Sequence, residues 1–155
     1  MTRSTLASAL AVALLVSGLA GGGASAQDKT KLPQEREDLM KQQGREMIVI
    51  RNYAEGKADQ GAALAAVASL TKSVPTVPNY FPAGSEGPNP DGKFGPKPEV
   101  FSQRDKFVAA AKQVADQITA LETAIKSDDK TKVAADFKEI GFCKSCHDTF
   151  RAKLP

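Results

Sequence analysis

Apolar residues recur at helical spacing in four segments of this chain, and this periodicity constrains the fold more than any other feature. The clearest segment runs from about Pro98 to Lys126. Its apolar positions follow one another by three or four residues, so they form one stripe along a helix. A stripe of this kind has to be buried against other helices. It contains Phe107, Ala111, Val114, Ile118, Leu121 and Ile125.

Three further segments show helical spacing, over about Lys31 to Glu55, Asp59 to Ser73 and Asp129 to Lys153. Asp59 and Asp128 are expected to cap the second and fourth helices. No segment alternates as a strand does, so we predict an all-α, antiparallel four-helix bundle. The predicted inner stripe of the first segment is Arg36, Met40, Gln43, Met47, Ile50 and Ala54, widened by Leu39 and Ile48. The stripe of the second segment is Ala63, Val67, Leu70 and Val74. The stripe of the fourth segment is Val133, Phe137, Ile140, Cys143, His147 and Phe150.

Residues Val74–Pro98 contain seven of the nine prolines and four glycines. Because this density is incompatible with a helix or a central strand, we predict a long ordered loop between helices 2 and 3. Tyr80, Phe81 and Phe94 are expected to attach the loop to the body. A disordered linker between two domains is the alternative, but neither flank is long enough to fold well alone.

The first 26 residues have the pattern of a secretory signal peptide. Arg3 precedes an apolar run, a glycine-rich stretch follows, and Ala24-Ser25-Ala26 fits a cleavage site. We therefore expect export to the periplasm, with residues 27–155 forming the mature domain and no stable membrane insertion after cleavage. Loss of Arg3 from a chain of net charge +3 leaves +2, which gives no reason to expect nucleic-acid binding.

The sequence Cys143-Lys144-Ser145-Cys146-His147 holds both cysteines and the only histidine of the chain. Cys-x-x-Cys-His is the attachment signature of c-type haem. On a helix the two thiols and the imidazole share one face, so the thiols can add to two vinyl groups while the imidazole becomes an axial iron ligand. A thiol-redox motif, a zinc site and a plain disulfide explain the five residues less well.

Four stretches resemble the cytochrome c-prime family, the class II c-type cytochromes. They are residues 36–41 (REDLMK), 81–84 (FPAG), 98–101 (PEVF) and 141–151 (GFCKSCHDTFR). The resemblance spans nearly the whole mature chain. It implies a four-helix bundle with one covalently bound haem c near the C-terminal end, held by Cys143 and Cys146, with His147 as the proximal iron ligand.

The same resemblance implies a role for Met40, which lies four residues after Arg36. That position faces the distal side of the iron in the family, and it holds methionine in the low-spin members. The residues alone leave the assignment open, because Met40 and Met47 share one stripe and methionine often only fills core volume. For Arg36, the resemblance implies a haem propionate partner, and a surface arginine near the helix start is the alternative.

A Met/His-ligated haem implies a periplasmic carrier of single electrons, because two axial ligands leave no open iron position. The first alternative is a five-coordinate cytochrome that binds NO or CO, and the second is a haem-free thiol-redox or structural protein. No further catalytic constellation is found, so an enzyme is not expected. We expect redox partner proteins and either a monomer or a homodimer. The lysines near the motif are interpreted as a solvated face rather than a docking rim: Lys138, Lys144 and Lys153.

Overall fold

The structure is a computed structural model that describes residues 28–155, so the predicted signal peptide lies outside the described residues. Four helices form the bundle: α1 (Leu32–Ala54), α2 (Gln60–Ser73), α4 (Arg104–Lys126) and α5 (Lys130–Ile140). Each packs against the next, and α5 closes the ring against α1. Among the described helices, none is both long and apolar enough to cross a membrane. The predicted four-helix bundle is confirmed.

Aspartate side chains fix where two of these helices begin. The Asp59 carboxylate accepts a hydrogen bond from the Ala62 N–H at 2.8 Å and caps α2 as predicted. At α5 the cap is Asp129, which accepts from the Lys132 N–H at 2.9 Å. The predicted cap, Asp128, instead takes a left-handed conformation (φ 53°) in the turn before α5. The helix start was therefore predicted one residue too early.

The predicted stripes form most of the core. Every predicted position of α4 is buried, as are the four of the second segment. On α1 the side chain of Ile48 is 43 % exposed, because Ile48 lies about 100° around the helix from the buried Met47. Tyr53, absent from the predicted stripe, is only 1 % exposed.

The segment predicted as one helix from Pro98 to Lys126 is two helices. The short helix α3 (Glu99–Ser102) ends at Gln103, whose φ of −119° and ψ of 49° are not helical, and α4 begins at the next residue. Both pieces bury apolar side chains, Val100 and Phe107, at the same end of the bundle. The break is invisible in the periodicity because the long stripe begins only at Phe107.

Two short strands were not predicted. β1 (Phe94–Pro96) pairs antiparallel with β2 (Arg151–Lys153), with Phe94 opposite Lys153. The prediction of a helix up to Lys153 was therefore wrong. Strands of three residues are too short to show alternation, and their partners lie far apart in sequence. The pairing ties the long loop to the C-terminal segment.

The loop between α2 and α3 is ordered, as predicted, and begins with a 3-10 helix (Val74–Tyr80). Basic side chains satisfy several of its backbone carbonyls. Lys29 Nζ donates to Ala83 O at 2.7 Å, and Arg104 donates to Pro78 O and Phe81 O at 2.7 and 3.1 Å. The Phe81 ring packs edge-on against Phe107, 5.1 Å between centroids. These contacts supply the partners that carbonyls outside regular structure require.

At the other end of the bundle, Tyr53 joins the two short turns. Its hydroxyl donates to the Asp128 carboxylate, which lies in the turn between α4 and α5. The Lys130 ammonium lies 5.2 Å from the centre of the same ring. Burial and the adjacent Asp128 carboxylate raise the pKa of Tyr53 to about 12.

Replacing Tyr53 with Phe should lower the free energy of unfolding by about 1–2 kcal/mol at pH 8, since a buried hydrogen bond to a carboxylate is lost. Because the folded-state pKa is raised, the Tyr53 contribution is complete below pH 10 and is lost as pH rises towards 12. The difference between the wild type and Tyr53→Phe in urea unfolding should therefore shrink over this range. Tyr80→Phe controls for loss of a phenol, and a difference that stays constant to pH 12 would contradict the assignment.

Candidate cofactor site

The motif residues lie where the fourth helical segment is interrupted. Helix α5 ends at Ile140, and its C-cap Gly141 has a left-handed backbone (φ 50°). A 3-10 turn (Gly141–Cys143) then leads into α6 (Lys144–Phe150). Cys143 is itself left-handed, with φ 61°. The expectation that both thiols and the imidazole share one continuous helix is therefore wrong, because Cys143 precedes α6. A non-glycine residue in this conformation is strained, and such strain is concentrated at functional sites.

A cavity of about 370 Å³ lies at this end of the bundle, within the range of about 300–1,000 Å³ typical of ligand pockets. Its walls come from α1, α4, α6 and the long loop. Apolar side chains predominate, including Val77, Val100, Phe107 and Phe150. All five residues predicted from the sequence to hold the cofactor line it: Arg36, Met40, Cys143, Cys146 and His147.

On the α6 side of the cavity, the side chains that could bind a cofactor are held in their uncharged forms. Burial, assisted by the Arg151 charge, lowers the pKa of His147 to about 4, so the imidazole is neutral and able to ligate a metal. Burial raises the pKa of Cys143 to about 11 and also raises that of Cys146. Both are free thiols. Reactive redox cysteines have lowered pKa values, so these thiols do not favour a thiol-redox function.

Arg36 crosses from α1 to the long loop and is 1 % exposed. Its Nη1 and Nη2 donate to the carbonyls of Ser85 and Gly87 at 2.8 and 3.2 Å, and the guanidinium lies 4.8 Å from the Phe81 ring centre. Burial lowers the pKa of Arg36, and the Glu86 charge opposes that shift. The surface alternative for Arg36 is therefore wrong. Its Nε is the only buried side-chain nitrogen or oxygen without a hydrogen-bond partner in the described residues.

Both methionines of the first helix face this region. Met47 is 1 % exposed and belongs to the main core, as predicted, yet it also lines the cavity. Met40 is half-buried and packs with the smaller cluster that contains Phe107 and Phe150. The structure thus brings both thioethers to the cavity that His147 lines.

Several residues of the site escaped prediction. The β1 residues and Phe107 line the cavity, as does Gly44, one turn after Met40 on α1. The space beside Gly44 is open, since a Cβ at this position would meet nothing within 4 Å. A glycine inside a helix lowers its stability by about 1 kcal/mol relative to alanine. The glycine at position 44 is therefore a signal in the sequence that no side chain fills this face of α1. Gln43 is also buried and donates to the Ser73 hydroxyl at 3.2 Å.

Comparison with known proteins agrees with this geometry. The family model described as Cytochrome C' matches residues 31–151. The chain belongs to the cytochrome c' family. It is 32 % identical to a cytochrome c-556 of Rhodopseudomonas palustris over 126 residues, which covers 79 % of this chain and 83 % of the relative.

Two further likenesses are informative. A cytochrome c' of Rhodopseudomonas palustris is 30 % identical over 135 residues, covering 85 % of this chain and 89 % of the relative. The crystal structure of cytochrome c' from Rubrivivax gelatinosus superposes with a TM-score of 0.69 at 27 % identity, covering 81 % of this chain and 98 % of that one. The matches thus include proteins called c' and proteins called c-556.

Members of this family carry covalently attached haem c, and the residues of this chain fit that group. The cavity offers two free thiols and a neutral imidazole on one side. On the other side, position 44 leaves space next to α1, and the unpartnered Nε of Arg36 remains available to an anion. The haem-free alternative is therefore set aside, and the cofactor is one haem c with its iron.

Arg36→Gln should lower the free energy of unfolding by about 2–3 kcal/mol, because two charge-assisted hydrogen bonds to the loop are lost. Amide hydrogen exchange should also accelerate across residues 82–92. Urea unfolding and exchange of the haem-loaded protein measure the two effects. Arg45→Gln, at an exposed position of the same helix, is the control. Unchanged exchange in the loop would contradict the clamping role of Arg36.

Proposed function

We propose that this protein is an exported, periplasmic carrier of single electrons, with its haem ligated by His147 and Met40. The observation that carries the proposal is that Met40 on α1 and His147 on α6 line the same cavity. When bound, the haem supplies a one-electron ferric/ferrous iron couple. The thiols of Cys143 and Cys146 would hold the haem through thioether bonds, and the neutral imidazole of His147 would ligate the iron.

We prefer Met40 over Met47 as the second protein side chain that would ligate the iron. Met47 is fully buried in the main core, where its side chain fills space between helices. Met40 is only half-buried, and it packs with the cluster that includes Phe150 of α6. Its thioether is therefore free to turn towards the cavity at little packing cost, because methionine side chains are flexible.

Thioether ligation suits an electron carrier. A soft sulfur donor favours ferrous iron and raises the reduction potential. With His147 and Met40 as its two protein ligands, the iron would keep the same coordination in both oxidation states and would have no position open to a gas or to oxygen chemistry. We therefore propose a carrier rather than an enzyme.

Arg36 is proposed to stabilise the anionic edge of the cofactor. Its two terminal nitrogens are engaged by loop carbonyls, and its Nε is left to donate to a propionate. Burying a guanidinium is costly even when two of its nitrogens are hydrogen-bonded, so an anionic partner at Nε would offset part of that cost. In this proposal Arg36 both clamps the loop and binds the cofactor.

Replacing Met40 with Ala should abolish the weak far-red sulfur-to-iron charge-transfer band of the ferric protein. The ferrous variant should also bind carbon monoxide readily, because the iron position is then open. Met47→Ala is the matched control and should keep the band and exclude the gas. Absorbance spectra of both variants, with and without carbon monoxide, measure these effects.

Two results would contradict the proposal. A band that persists in Met40→Ala but disappears in Met47→Ala would show that Met47 is the ligand. A wild type with no band and with ready carbon monoxide binding would favour the alternative function, a five-coordinate cytochrome that binds NO or CO.

A further inference from the structure

The two short strands and their flanks concentrate positive charge. Residues 93–97 read Lys-Phe-Gly-Pro-Lys and residues 151–153 read Arg-Ala-Lys, with no acidic residue in either stretch. The antiparallel pairing of β1 with β2 brings them together. We call this feature the basic ribbon, defined by Lys93, Lys97, Arg151 and Lys153.

The basic ribbon forms part of the rim of the cavity. Phe94, Gly95 and Pro96 of β1 line the cavity, as does Arg151 of β2. Strand β2 follows α6 without a break, so the ribbon is continuous with the helix that carries Cys146 and His147. Charge on the ribbon therefore acts close to the group that the cavity holds.

Local contacts hold the ribbon in a defined position. Lys97 Nζ donates to the Asp148 carbonyl at 2.7 Å, and the Lys97 N–H donates to the Phe150 carbonyl at 2.9 Å. The Arg151 guanidinium lies 4.5 Å from the centre of the Phe94 ring. Fixed charges of this kind are already arranged when a partner arrives, which reduces the entropy lost on docking.

The ribbon charges are directed to solvent and are only partly balanced. Lys93, Arg151 and Lys153 are exposed. The acidic residues nearest in sequence are Asp91, Glu99 and Asp148, and the carboxylate of Asp148 already pairs with Lys144. A net positive field therefore remains at the rim.

The opposite end of the bundle carries a smaller excess. Its two turns and the helical turns next to them hold four acidic and five basic residues, an excess of one charge: Glu55, Asp59, Asp128 and Asp129 against Arg51, Lys57, Lys126, Lys130 and Lys132. The formal charge of the whole chain is only +3. The ribbon, with four basic residues, therefore carries a larger excess of positive charge than the opposite end.

We propose that the basic ribbon is the docking surface for an acidic redox partner protein, which it steers to the rim of the haem cavity. This proposal rests on the proposed electron-carrier function and names the chemistry of the partner. Charged rims of this kind raise association rates and make them dependent on salt. In this proposal Lys153, which the sequence alone assigns to a solvated face, belongs to the docking surface, whereas Lys138 and Lys144 stay on the solvated face.

Two small oxidants of opposite charge test the field at the rim. The ferrous haem protein gives one electron to hexacyanoferrate(III), which becomes hexacyanoferrate(II), or to tris(phenanthroline)cobalt(III), which becomes the cobalt(II) complex. We expect Lys93→Glu/Lys153→Glu to react about tenfold more slowly with the anion at low ionic strength and faster with the cation. Both differences should disappear in high salt, since exposed charges are then screened. Stopped-flow absorbance measures the rates.

Lys57→Glu/Lys126→Glu changes the net charge by the same amount at the opposite end and is the matched control. Equal effects of the two double variants would overturn the proposal, because total charge alone would then explain the rates. A ferrous wild type that neither reagent oxidises would instead overturn the electron-carrier function, and the docking surface with it.

A polyglutamate peptide tests recognition of an acidic polypeptide. It should slow the reaction of the wild type with hexacyanoferrate(III) and leave the ribbon variant unaffected. If the peptide has no effect, while vesicles containing phosphatidylglycerol bind the wild type and not the ribbon variant, the ribbon recognises a membrane surface and the proposal is overturned.

Discussion

The two thiols and the imidazole of residues 143–147 have to contact one cofactor. One end of the bundle therefore has to contain a cavity instead of packed side chains. The left-handed backbone at Gly141 and Cys143 breaks the fourth helical segment, so that α6 presents Cys146 and His147 to the cavity. The facing side of α1 leaves room at Gly44. A bundle filled to this end by side chains would be more stable by itself but would have no space for the cofactor.

The two ends of the bundle are stabilised differently as a result. At the closed end, the turns are short and Tyr53 joins them through the Asp128 carboxylate. At the cavity end, the connection is long, and basic side chains occupy its carbonyls: Lys29, Arg36 and Arg104. Hydrogen bonds from charged donors thus replace part of the packing that the cavity removes. Because one of those donors, Arg36, also lines the cavity, the loop and the cofactor site are physically coupled.

The sequence predicts the elements that depend on local pattern. The stripe of α4 is recovered in full because it is long and strictly periodic, and the attachment motif identifies the cofactor because its spacing is specific. The break at Gln103 and the pairing of β1 with β2 were missed, since neither changes the apolar pattern. The burial of Arg36 was left open because the carbonyls it binds, those of Ser85 and Gly87, lie far along the chain.

The two methionines show a different limit. They are seven residues apart, so helical spacing places both on one face, and the structure indeed places both at the cavity. The difference in burial between Met40 and Met47 is a property of the packed bundle that spacing does not contain. The sequence shows where the basic residues lie along the chain. Only the pairing of β1 with β2 shows that four of them form one ribbon.

The intact mass of the purified protein under denaturing conditions shows whether the haem is bound covalently through Cys143 and Cys146. We expect the mass of residues 27–155 plus one haem, and the mass of the bare polypeptide when both Cys143 and Cys146 are replaced by Ala. A wild type that loses its haem on denaturation, or has the bare polypeptide mass throughout, would show that the group is not covalently held by these thiols and would contradict the account.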